Sequence, residues 1–412
     1  MIGDVDRRLV LGLGGTVDYE LTWDSAVLER LALEHRLRRH ELTTTAPITD
    51  ERSLLVAILA FVASGVGAER LVSSSEAVTG FASHFDFTVT LGGTGVRAGL
   101  VLDRLGIPST QHLVSIDDNV RRLLPASMSY VSSATHDTLD PHLIVQYPAG
   151  ARIRLVDGEV ISPSPNRLIF ANDPPNREMR LSDDLPDALA SAPVFLVSGF
   201  NTMTDRELLD TRLTELLDAM RSLPDDALVY YEDAGFYDRT FAATVRERLL
   251  ARIDVYGMNE DELQEYLGRT ISLLDASEVV RALDDIRTII PAPVIVVHTR
   301  YWAIAIGADA GRHRAALESA VRAAATRYRL GDDFTADDAE RTSGMARHRG
   351  GEAVVRAVES AVTGAVGVAA HALDVPHPTT VGLGDTFVGG FLAASFSRAE
   401  QAADASPSGA AR

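Results

Sequence analysis

The chain has 412 residues, a formal net charge of -19, and apolar and charged fractions of 46% and 24%. It is long enough to bury a large core, and its negative charge disfavours nucleic acid and anionic membranes as partners. Cysteine and lysine are both absent. Their absence excludes thiolate nucleophiles, Schiff-base chemistry and the Gly-Lys-Ser/Thr phosphate loop, so arginine, backbone or metal has to hold any phosphate.

Five short apolar runs, each followed by a helical pattern, predict buried strands of a mainly parallel sheet covered by helices. In chain order they are residues 9–12, 194–199, 227–231, 253–257 and 294–298. The fold class predicted is therefore a layered α/β core. Ligands of such sheets bind at the carboxyl ends of the strands, so we expect polar residues at those ends to line a site.

Alternating apolar and polar residues between positions 85 and 91, and again between about 120 and 182, predict a small antiparallel sheet. We expect a discontinuous β lid built from residues 19–47, 82–93 and 127–182 over a single catalytic unit of residues 1–398. Residues 399–412 are polar and small, which predicts a disordered tail. There is no signal-peptide pattern and no apolar run of membrane-spanning length, so we expect a cytoplasmic protein without a membrane partner.

The segment Val-Gly-Leu-Gly-Asp-Thr at residues 381–386 precedes an apolar helical stretch. Small residues allow a ligand to approach the backbone, and the N–H groups of a helix N-terminus favour a phosphate. Asp385 would lie at the mouth of this site, where it could accept a proton from an attacking hydroxyl. A glycine-rich helix start with a capping aspartate is the alternative interpretation.

A second candidate site lies at the tips of neighbouring strands. Asn259 and Glu262 could hold magnesium through its water shell, and Glu232 ends the preceding strand. Asn259 and Glu262 also match a helix capping box, and the two interpretations can coexist; for Glu232 the alternative is an exposed loop acid. Four further potential ligands are close in sequence, namely His136, Asp137, Asp140 and His142. Their spacing matches no convergent ligand set, so we attribute them to a loop.

Glycines mark a third candidate site. Gly92 and Gly93 join a predicted strand to a helix, and together with Thr94 they could present backbone N–H groups to a substrate. Close packing of the helix on the sheet would favour the same glycines. Asp18 follows the first strand and could bind the hydroxyl groups of a polyol, although a turn or N-cap aspartate is the alternative.

Taken together, these segments resemble the ribokinase superfamily and, within it, the ADP-dependent glucokinase and phosphofructokinase branch. Residues 381–386 are similar to the C-terminal signature of the superfamily, whose aspartate is the catalytic base. Four further segments match the branch in chain order: Asp18, residues 65–69 with 91–95, residues 259–262, and residues 297–301 near the nucleotide site. The resemblance covers residues 8–396.

This resemblance implies a ribokinase-like three-layer core with a β lid, and an ADP-dependent sugar kinase that releases AMP. Asp385 would be the general base, and Gly382, Leu383 and Gly384 the anion hole. The other implied residues are Asp18, Glu69, Gly92, Gly93 and Thr94 for the sugar; His298, Thr299, Arg300, Tyr301 and Val381 for the nucleotide; and Glu232, Asn259, Glu262 and Asp385 for Mg²⁺ or another divalent cation. The partners would be a small-molecule sugar and a nucleotide, with ADP as phosphoryl donor.

The acceptor stays open between glucose and fructose 6-phosphate. Glu69 favours glucose, because a glutamate near this segment accompanies unphosphorylated glucose in the resembled branch. Arginine favours the sugar phosphate because it can bind phosphate in bidentate geometry. The arginines of the predicted lid are Arg152, Arg154, Arg167, Arg177 and Arg180.

The chain departs from the branch at two places. Tyr230 stands where the branch commonly has the histidine of a His-x-Glu pattern, and Thr94 and Arg97 follow the glycines where small or amide residues are usual. An ATP-dependent ribokinase-like carbohydrate or nucleoside kinase is therefore an alternative. A non-catalytic sugar- or nucleotide-binding regulator on the same fold is another, and the sequence does not indicate the oligomeric state.

Overall fold

The computed structural model describes residues 7–375 and 378–405, and this part of the chain forms sixteen β-strands and fifteen α-helices. The strands are β1 (Leu9–Leu11), β2 (Thr16–Leu21), β3 (Ala68–Leu71), β4 (Phe87–Gly92), β5 (Ser109–Leu113), β6 (Met128–Ser132), β7 (His142–Tyr147), β8 (Arg152–Leu155), β9 (Gly158–Ile161), β10 (Asn166–Ala171), β11 (Val194–Val197), β12 (Leu228–Glu232), β13 (Val255–Asn259), β14 (Val294–His298), β15 (Trp302–Gly307) and β16 (Val366–Ala369). The helices are α1 (Ser25–Glu34), α2 (Glu51–Ser64), α3 (Ser75–Ala82), α4 (Thr94–Arg104), α5 (Asp118–Leu123), α6 (Pro174–Glu178), α7 (Leu185–Leu189), α8 (Arg206–Ala219), α9 (Thr240–Leu249), α10 (Glu260–Leu267), α11 (Ala276–Ile289), α12 (Arg314–Leu330), α13 (Ala336–Ser343), α14 (Arg349–Ala361) and α15 (Leu383–Ala405).

A large sheet forms the centre of the molecule, with strand order β16-β15-β14-β13-β12-β11-β1-β5-β6. All neighbouring strands from β14 to β6 are parallel, whereas β15 pairs antiparallel with both β14 and β16. The five apolar runs of the sequence are β1, β11, β12, β13 and β14, which are neighbours in this sheet. The predicted mainly parallel sheet is therefore confirmed.

Helices cover both faces of the large sheet, because alternate residues of each strand point to opposite faces. In β14, Ile295 and Val297 pack into the same apolar cluster as α8, α9, α11 and α14, whereas Val294 and Val296 pack into the cluster that contains α4, α12 and α15. Burial on both faces explains why the strands are continuously apolar in sequence. The result is the predicted three-layer core.

A second sheet has the strand order β3-β10-β7-β2-β4. Leu143 and Val145 of β7 and Leu168 and Phe170 of β10 pack with α1, α2 and α3 into a separate core. Strand β4 was predicted by alternation at residues 85–91, and β8 and β9 form a hairpin as expected. The segments that form the second sheet are not the same as those predicted for the lid.

Two differences concern which segments join this sheet. Strand β3 joins this sheet, and helices α2 and α3 pack into its core, although residues 48–81 were not predicted as part of the lid. The sequence did not indicate this, because the apolar pattern of α2 does not reveal which of two cores the helix covers. Residues 128–132 were expected in the lid but form β6 at the edge of the large sheet, where they pair with β5. Closeness in sequence to a lid segment therefore does not determine which sheet a strand joins.

The last helix, α15, continues to Ala405, so the first seven residues of the tail predicted at 399–412 are helical. Alanine, glutamate and glutamine in this stretch are strong helix formers, which explains the extension. Residues 406–412 lie outside the described part of the chain. In the described ranges, no helix combines the length and the apolar character needed to cross a membrane.

Candidate active site

The strand ends of the large sheet converge at one edge. Glu232 ends β12, Asn259 ends β13 and His298 ends β14, and Asn259 is in register with His298. Helix α15 begins beside them, since a Cβ atom added to Gly384 would lie 3.4 Å from Cε1 of His298. The polar ends of three parallel strands and the N-terminus of α15 therefore share one location, as expected for a ligand site of this fold class.

Residues 382–386 lead into the first turn of α15. Gly382 has φ = +68°, and its carbonyl oxygen accepts hydrogen bonds from the backbone N–H (3.0 Å) and Oγ1 (2.8 Å) of Thr386. The first N–H groups of a helix have no partner within it and, together with the helix dipole, they favour an anion. Leu383, Gly384 and Asp385 supply this turn, and Asp385 is partly exposed. This geometry suits the predicted anion hole and base.

Four predicted sugar-binding residues meet where the second sheet joins α4. Asp18 is buried on β2, and Gly92 faces it, since a Cβ atom on Gly92 would overlap the Asp18 carboxylate. Gly93 has φ = +87° and Thr94 begins α4. The structure adds a residue to which the sequence gave no role, Arg97, whose Nη2 donates to Oδ2 of Asp18 (2.9 Å).

One face of the second sheet carries polar residues. Strand register places Glu69 of β3, His142 of β7 and Asp18 of β2 on this face. The hydroxyl of Tyr237, in the loop after β12, donates to Oε1 of Glu69 (3.0 Å). This hydrogen bond joins the carboxyl-end edge of the large sheet to the polar face of the second sheet, so Glu69 lies in the cleft between them.

A buried ion pair on this face was not predicted. Nε2 of His142 donates to Oδ2 of Asp173 (3.0 Å), and Nδ2 of Asn176 also donates to that oxygen (2.7 Å). Burial alone would lower the pKa of His142, but the hydrogen bond and charge of Asp173 outweigh it and raise the pKa to about 9. His142 is therefore an imidazolium at neutral pH. The sequence signal for His142 was the alternation of residues along β7, which places this histidine on the polar face of the second sheet.

The five lid arginines differ in position. Arg152 and Arg154 lie on the exposed β8–β9 hairpin, where each side chain pairs with a glutamate. Arg167 is exposed on β10, in register with Gln146 on the polar face. Arg177 is part of α6 and donates to a neighbouring asparagine, and Arg180 is exposed just beyond it. Of these side chains, that of Arg167 lies on the cleft face of the second sheet, and the charge of Arg177 acts on the Tyr237 hydroxyl that binds Glu69.

Most of the predicted nucleotide residues form the turn between β14 and β15. Oγ1 of Thr299 accepts two backbone N–H groups of this turn at 3.1 Å each, and the guanidinium of Arg300 lies 5.0 Å from the ring centroid of Tyr301. Val381 is buried, and its carbonyl oxygen accepts a hydrogen bond from Arg327. Arg300 and Tyr301 are therefore surface groups beside the strand ends, whereas Val381 fixes the loop before α15.

His298 was predicted to contact the nucleotide, but its ring is directed at a carboxylate. Nε2 of His298 donates to Oε1 of Glu232 (2.8 Å), and the ring stacks on Phe387 at 4.5 Å. The hydroxyl of Tyr230 donates to Oε2 of the same carboxylate (3.2 Å). Burial opposes protonation of His298, yet the charge of Glu232 outweighs it and raises the pKa of the imidazole. Gly257 makes room for this arrangement, since a Cβ atom there would overlap Glu232 and Tyr230.

The predicted metal residues form the capping box that the sequence also allowed. Oδ1 of Asn259 accepts the N–H groups of Asp261 (2.6 Å) and Glu262 (3.2 Å), and Oε2 of Glu262 accepts that of Asn259 (2.8 Å). Burial and the charges of Glu232 and Asp233 raise the pKa of Glu262 to about 8. Within the described ranges, no three His, Cys, Asp or Glu side chains converge as direct metal ligands. Without a cation the Glu262 carboxyl is therefore largely protonated at neutral pH, and a hard cation held through its waters would favour the ionised form.

The comparisons with known proteins agree with this geometry. A sequence profile of the ADP-specific phosphofructokinase/glucokinase conserved region matches residues 7–393, which is nearly the whole chain. The chain belongs to this family. The resemblance stated from the sequence is thereby confirmed, and the protein is a phosphotransferase with an alcohol group as acceptor, in a family whose phosphoryl donor is ADP. No curated protein matches the chain.

Solved structures of this kinase family have the same fold. A phosphofructokinase from Pyrococcus horikoshii OT3, solved with AMP, is 17% identical with a TM-score of 0.77, over 96% of this chain and 99% of that one. The last common ancestor of ADP-dependent phosphofructokinases from Methanosarcinales is 14% identical with a TM-score of 0.73, covering 96% and 95%. An ADP-dependent kinase in complex with fructose 6-phosphate and ADPβS is 12% identical with a TM-score of 0.72, covering 95% and 94%. These likenesses confirm the predicted fold class.

Proposed function

We propose that the protein transfers the terminal phosphoryl group of ADP to a hydroxyl of glucose or fructose 6-phosphate, with Asp385 as general base and AMP as product. Membership of the family supports the reaction class. Residues 1–398 would form one catalytic unit, in which the second sheet is the lid over the strand ends of the large sheet.

The observation that carries this proposal is a continuous set of contacts from the acceptor side to the base. Asp18 is hydrogen-bonded to Arg97, and Arg97 lies against Gly382 at the start of α15. A Cβ atom built on Gly382 would be 2.8 Å from Cδ of Arg97 and 3.3 Å from Oδ2 of Asp385. A sugar held by Asp18 would therefore lie close to the Asp385 carboxylate and to the anion-binding turn.

In the proposed reaction, the acceptor hydroxyl is held by Asp18 and by the backbone of residues 92–94. Its proton passes to Asp385 while its oxygen forms a bond to the β-phosphorus of ADP. The bond between that phosphorus and the bridging oxygen breaks, and AMP leaves with the electron pair. Backbone N–H groups of Gly382, Leu383 and Gly384 stabilise the negative charge on the transferred group.

A divalent cation, Mg²⁺ or another, would be held with its waters by Glu232, Asn259, Glu262 and Asp385, and it would neutralise phosphate charge. Lid residues would keep bulk water away from the transferred phosphoryl group, which limits hydrolysis. The nucleotide would lie beside Val381 and the turn that contains Thr299, Arg300 and Tyr301. His298 would act through its hydrogen bond to Glu232.

Both acceptors have support in the cleft. Glu69 is held by Tyr237 in a position where its carboxylate can bind sugar hydroxyls. Arg167 lies on the same polar face and can bind a phosphate, and a related kinase structure of the same fold contains fructose 6-phosphate. We therefore keep glucose and fructose 6-phosphate as the two acceptors to be compared.

The deciding experiment is to measure AMP release by the purified protein with Mg-ADP, using glucose and fructose 6-phosphate in parallel. Both reactions are repeated with Mg-ATP. Acceptor-dependent AMP formation would support the proposal and identify the sugar. Turnover with ATP alone would favour an ATP-dependent ribokinase-like carbohydrate or nucleoside kinase, and ligand binding without turnover would favour a non-catalytic regulator.

Replacing the base tests the mechanism. Asp385→Asn keeps the shape of the side chain but removes the proton acceptor, so kcat should fall by about two or more orders of magnitude while ADP binding persists. The control is Asp337→Asn, since Asp337 is an exposed carboxylate in the first turn of a different helix, α13. Unchanged kcat in the Asp385 variant would remove this residue from the mechanism.

A further inference from the structure

Arg97 is a buried cation between the two sheets. Its side chain extends from α4 and is only 8% exposed. Nη2 donates to Oδ2 of Asp18 (2.9 Å) and to Oε1 of Glu20 (3.3 Å), and Glu20 also accepts from Oγ1 of Thr90 (2.8 Å). Asp18 and Glu20 are two residues apart on β2, so they point to the same face and converge on one nitrogen.

The rest of this guanidinium has no hydrogen-bond partner in residues 7–375 and 378–405. A guanidinium carries five N–H donors, and among the described residues neither Nε nor Nη1 of Arg97 has an acceptor. Neither nitrogen is among the fully buried polar atoms that lack a partner, so water reaches both, and a ligand oxygen can take the place of that water. The carboxylates of Asp18 and Glu20 therefore bind Nη2 of Arg97 and leave Nε and Nη1 available for a ligand.

The unpartnered side faces the start of α15. A Cβ atom added to Gly382 would be 3.2 Å from Nη1 of Arg97 and 3.3 Å from Oδ2 of Asp385. Nη1 and the Asp385 carboxylate thus border the same point of the anion-binding turn. Burial alone would lower the pKa of Arg97, but the charges of Asp18 and Asp385 outweigh it and raise the pKa above its ordinary value. The side chain is a fixed cation beside the proposed base.

We propose that Arg97 is a catalytic residue: Nη1 donates a hydrogen bond to the phosphoryl group in transit, while Nη2 stays bound to Asp18 and Glu20. This inference rests on the proposed function. The bonds formed and broken are those given above, and Arg97 neither gains nor loses a proton. It stabilises the charge spread over the phosphoryl oxygens between donor and acceptor. The planar fork of arginine can serve both sides at once, which an ammonium cannot.

A purely positional role for Arg97 is the competing explanation. In that case Arg97 would only hold the Asp18 carboxylate, and its loss would weaken acceptor binding without slowing the chemical step. The two roles predict different effects on the transition state. Only in the catalytic role does Arg97 make a hydrogen bond to the phosphoryl group while it is being transferred.

The experiment compares Arg97→Met and Arg97→Lys with the wild type. Arg104→Met is the matched control, since Arg104 is on the same helix but lies at the surface and pairs with an exposed aspartate. For each protein we would measure kcat, the KM of the acceptor, the affinity for ADP, and the affinity for AMP with aluminium fluoride and the acceptor, a mimic of the phosphoryl group in transit.

We expect Arg97→Met to lower kcat by about 10²-fold or more, as for loss of one donor to a developing oxyanion. Affinity for the aluminium fluoride complex should fall by a similar factor, with ADP affinity within about threefold of wild type. Arg97→Lys keeps a charge beside Asp18 and Glu20 and so protects the fold, but it should still lower kcat by about tenfold or more. If the methionine variant does not fold, the lysine variant decides.

A kcat within about threefold of wild type in the folded variants, with the change confined to the KM of the acceptor, would overturn the catalytic role. Acceptor-dependent AMP formation from ADP by the wild type would support the proposed function whatever the variants do. If the wild type transfers no phosphoryl group from either nucleotide to either sugar, the proposed function fails first, and this inference fails with it.

Discussion

Replacing Gly382 with alanine has two effects, backbone strain and a steric clash at the proposed active site. Comparison with the same change at a control glycine separates them. Alanine at φ = +68° costs about 1–2 kcal/mol of folding free energy. The added Cβ atom would also lie 2.8 Å from Cδ of Arg97, whereas carbon atoms in contact are about 3.5–4.0 Å apart. Arg97 or the loop must therefore move by roughly 1 Å, and a displacement of that size at a reacting centre can lower the rate by about 10²-fold.

Gly268 provides the matched control. It ends α10 with φ = +64°, but apart from its own neighbours in the chain no atom of the described residues would lie within 4 Å of a Cβ atom there. Gly268→Ala should thus carry the same backbone strain as Gly382→Ala without touching Arg97 or Asp385. We expect both variants to lose about 1–2 kcal/mol in urea denaturation, and only Gly382→Ala to lose about two orders of magnitude in kcat.

Wild-type activity in both alanine variants would refute this reasoning, because it would show that the space at Gly382 is not needed for transfer. Equal loss of activity in both would also refute it, since the loss would then come from reduced stability. The assay has to be performed well below the denaturation midpoint of both variants, so that the folded fraction is the same.

Two further predictions concern the cleft face of the second sheet. The pKa of His142 is raised from about 6.5 to about 9 by Asp173, so its stabilising contribution is complete below pH 6.5 and is lost as the pH rises through 9. Urea denaturation at pH 6.5 and pH 10 should show a loss on the order of 2–3 kcal/mol that His142→Gln lacks, and equal losses in both proteins would contradict the assignment. Tyr237→Phe removes the hydrogen bond to Glu69 and should raise the KM of the acceptor about fivefold with kcat within twofold, whereas an unchanged KM would argue against a role for Glu69 in sugar binding.

The core of the fold could be predicted from the sequence because its signals are local. Strands buried on both faces are continuously apolar, so β1 and β11 to β14 were recognisable as short runs. The turn before α15 was recognisable from its glycines, and the capping box of Asn259 and Glu262 from their spacing. Each of these features is decided by residues within a few positions of one another.

Contacts between distant segments could not be predicted in the same way. Arg97 is 79 residues from Asp18 in sequence, and no local pattern indicates that its side chain turns toward the second sheet. The edge strand β3 pairs with β10, about a hundred residues further along the chain. The pairing of His142 with Asp173 depends on the end of β10 lying beside β7. In each case the partner is set by the assembly of the sheet.

The imidazole beside Glu232 comes from β14, two strands away from the glutamate, rather than from the position two residues before it. Tyr230 occupies that earlier position, and Gly257 on the intervening strand leaves space for the carboxylate. A search that requires histidine and glutamate in one short motif would therefore overlook this chain. Relatives with the same exchange are better recognised by which side chains occupy the ends of three adjacent strands than by the order of letters in any one of them.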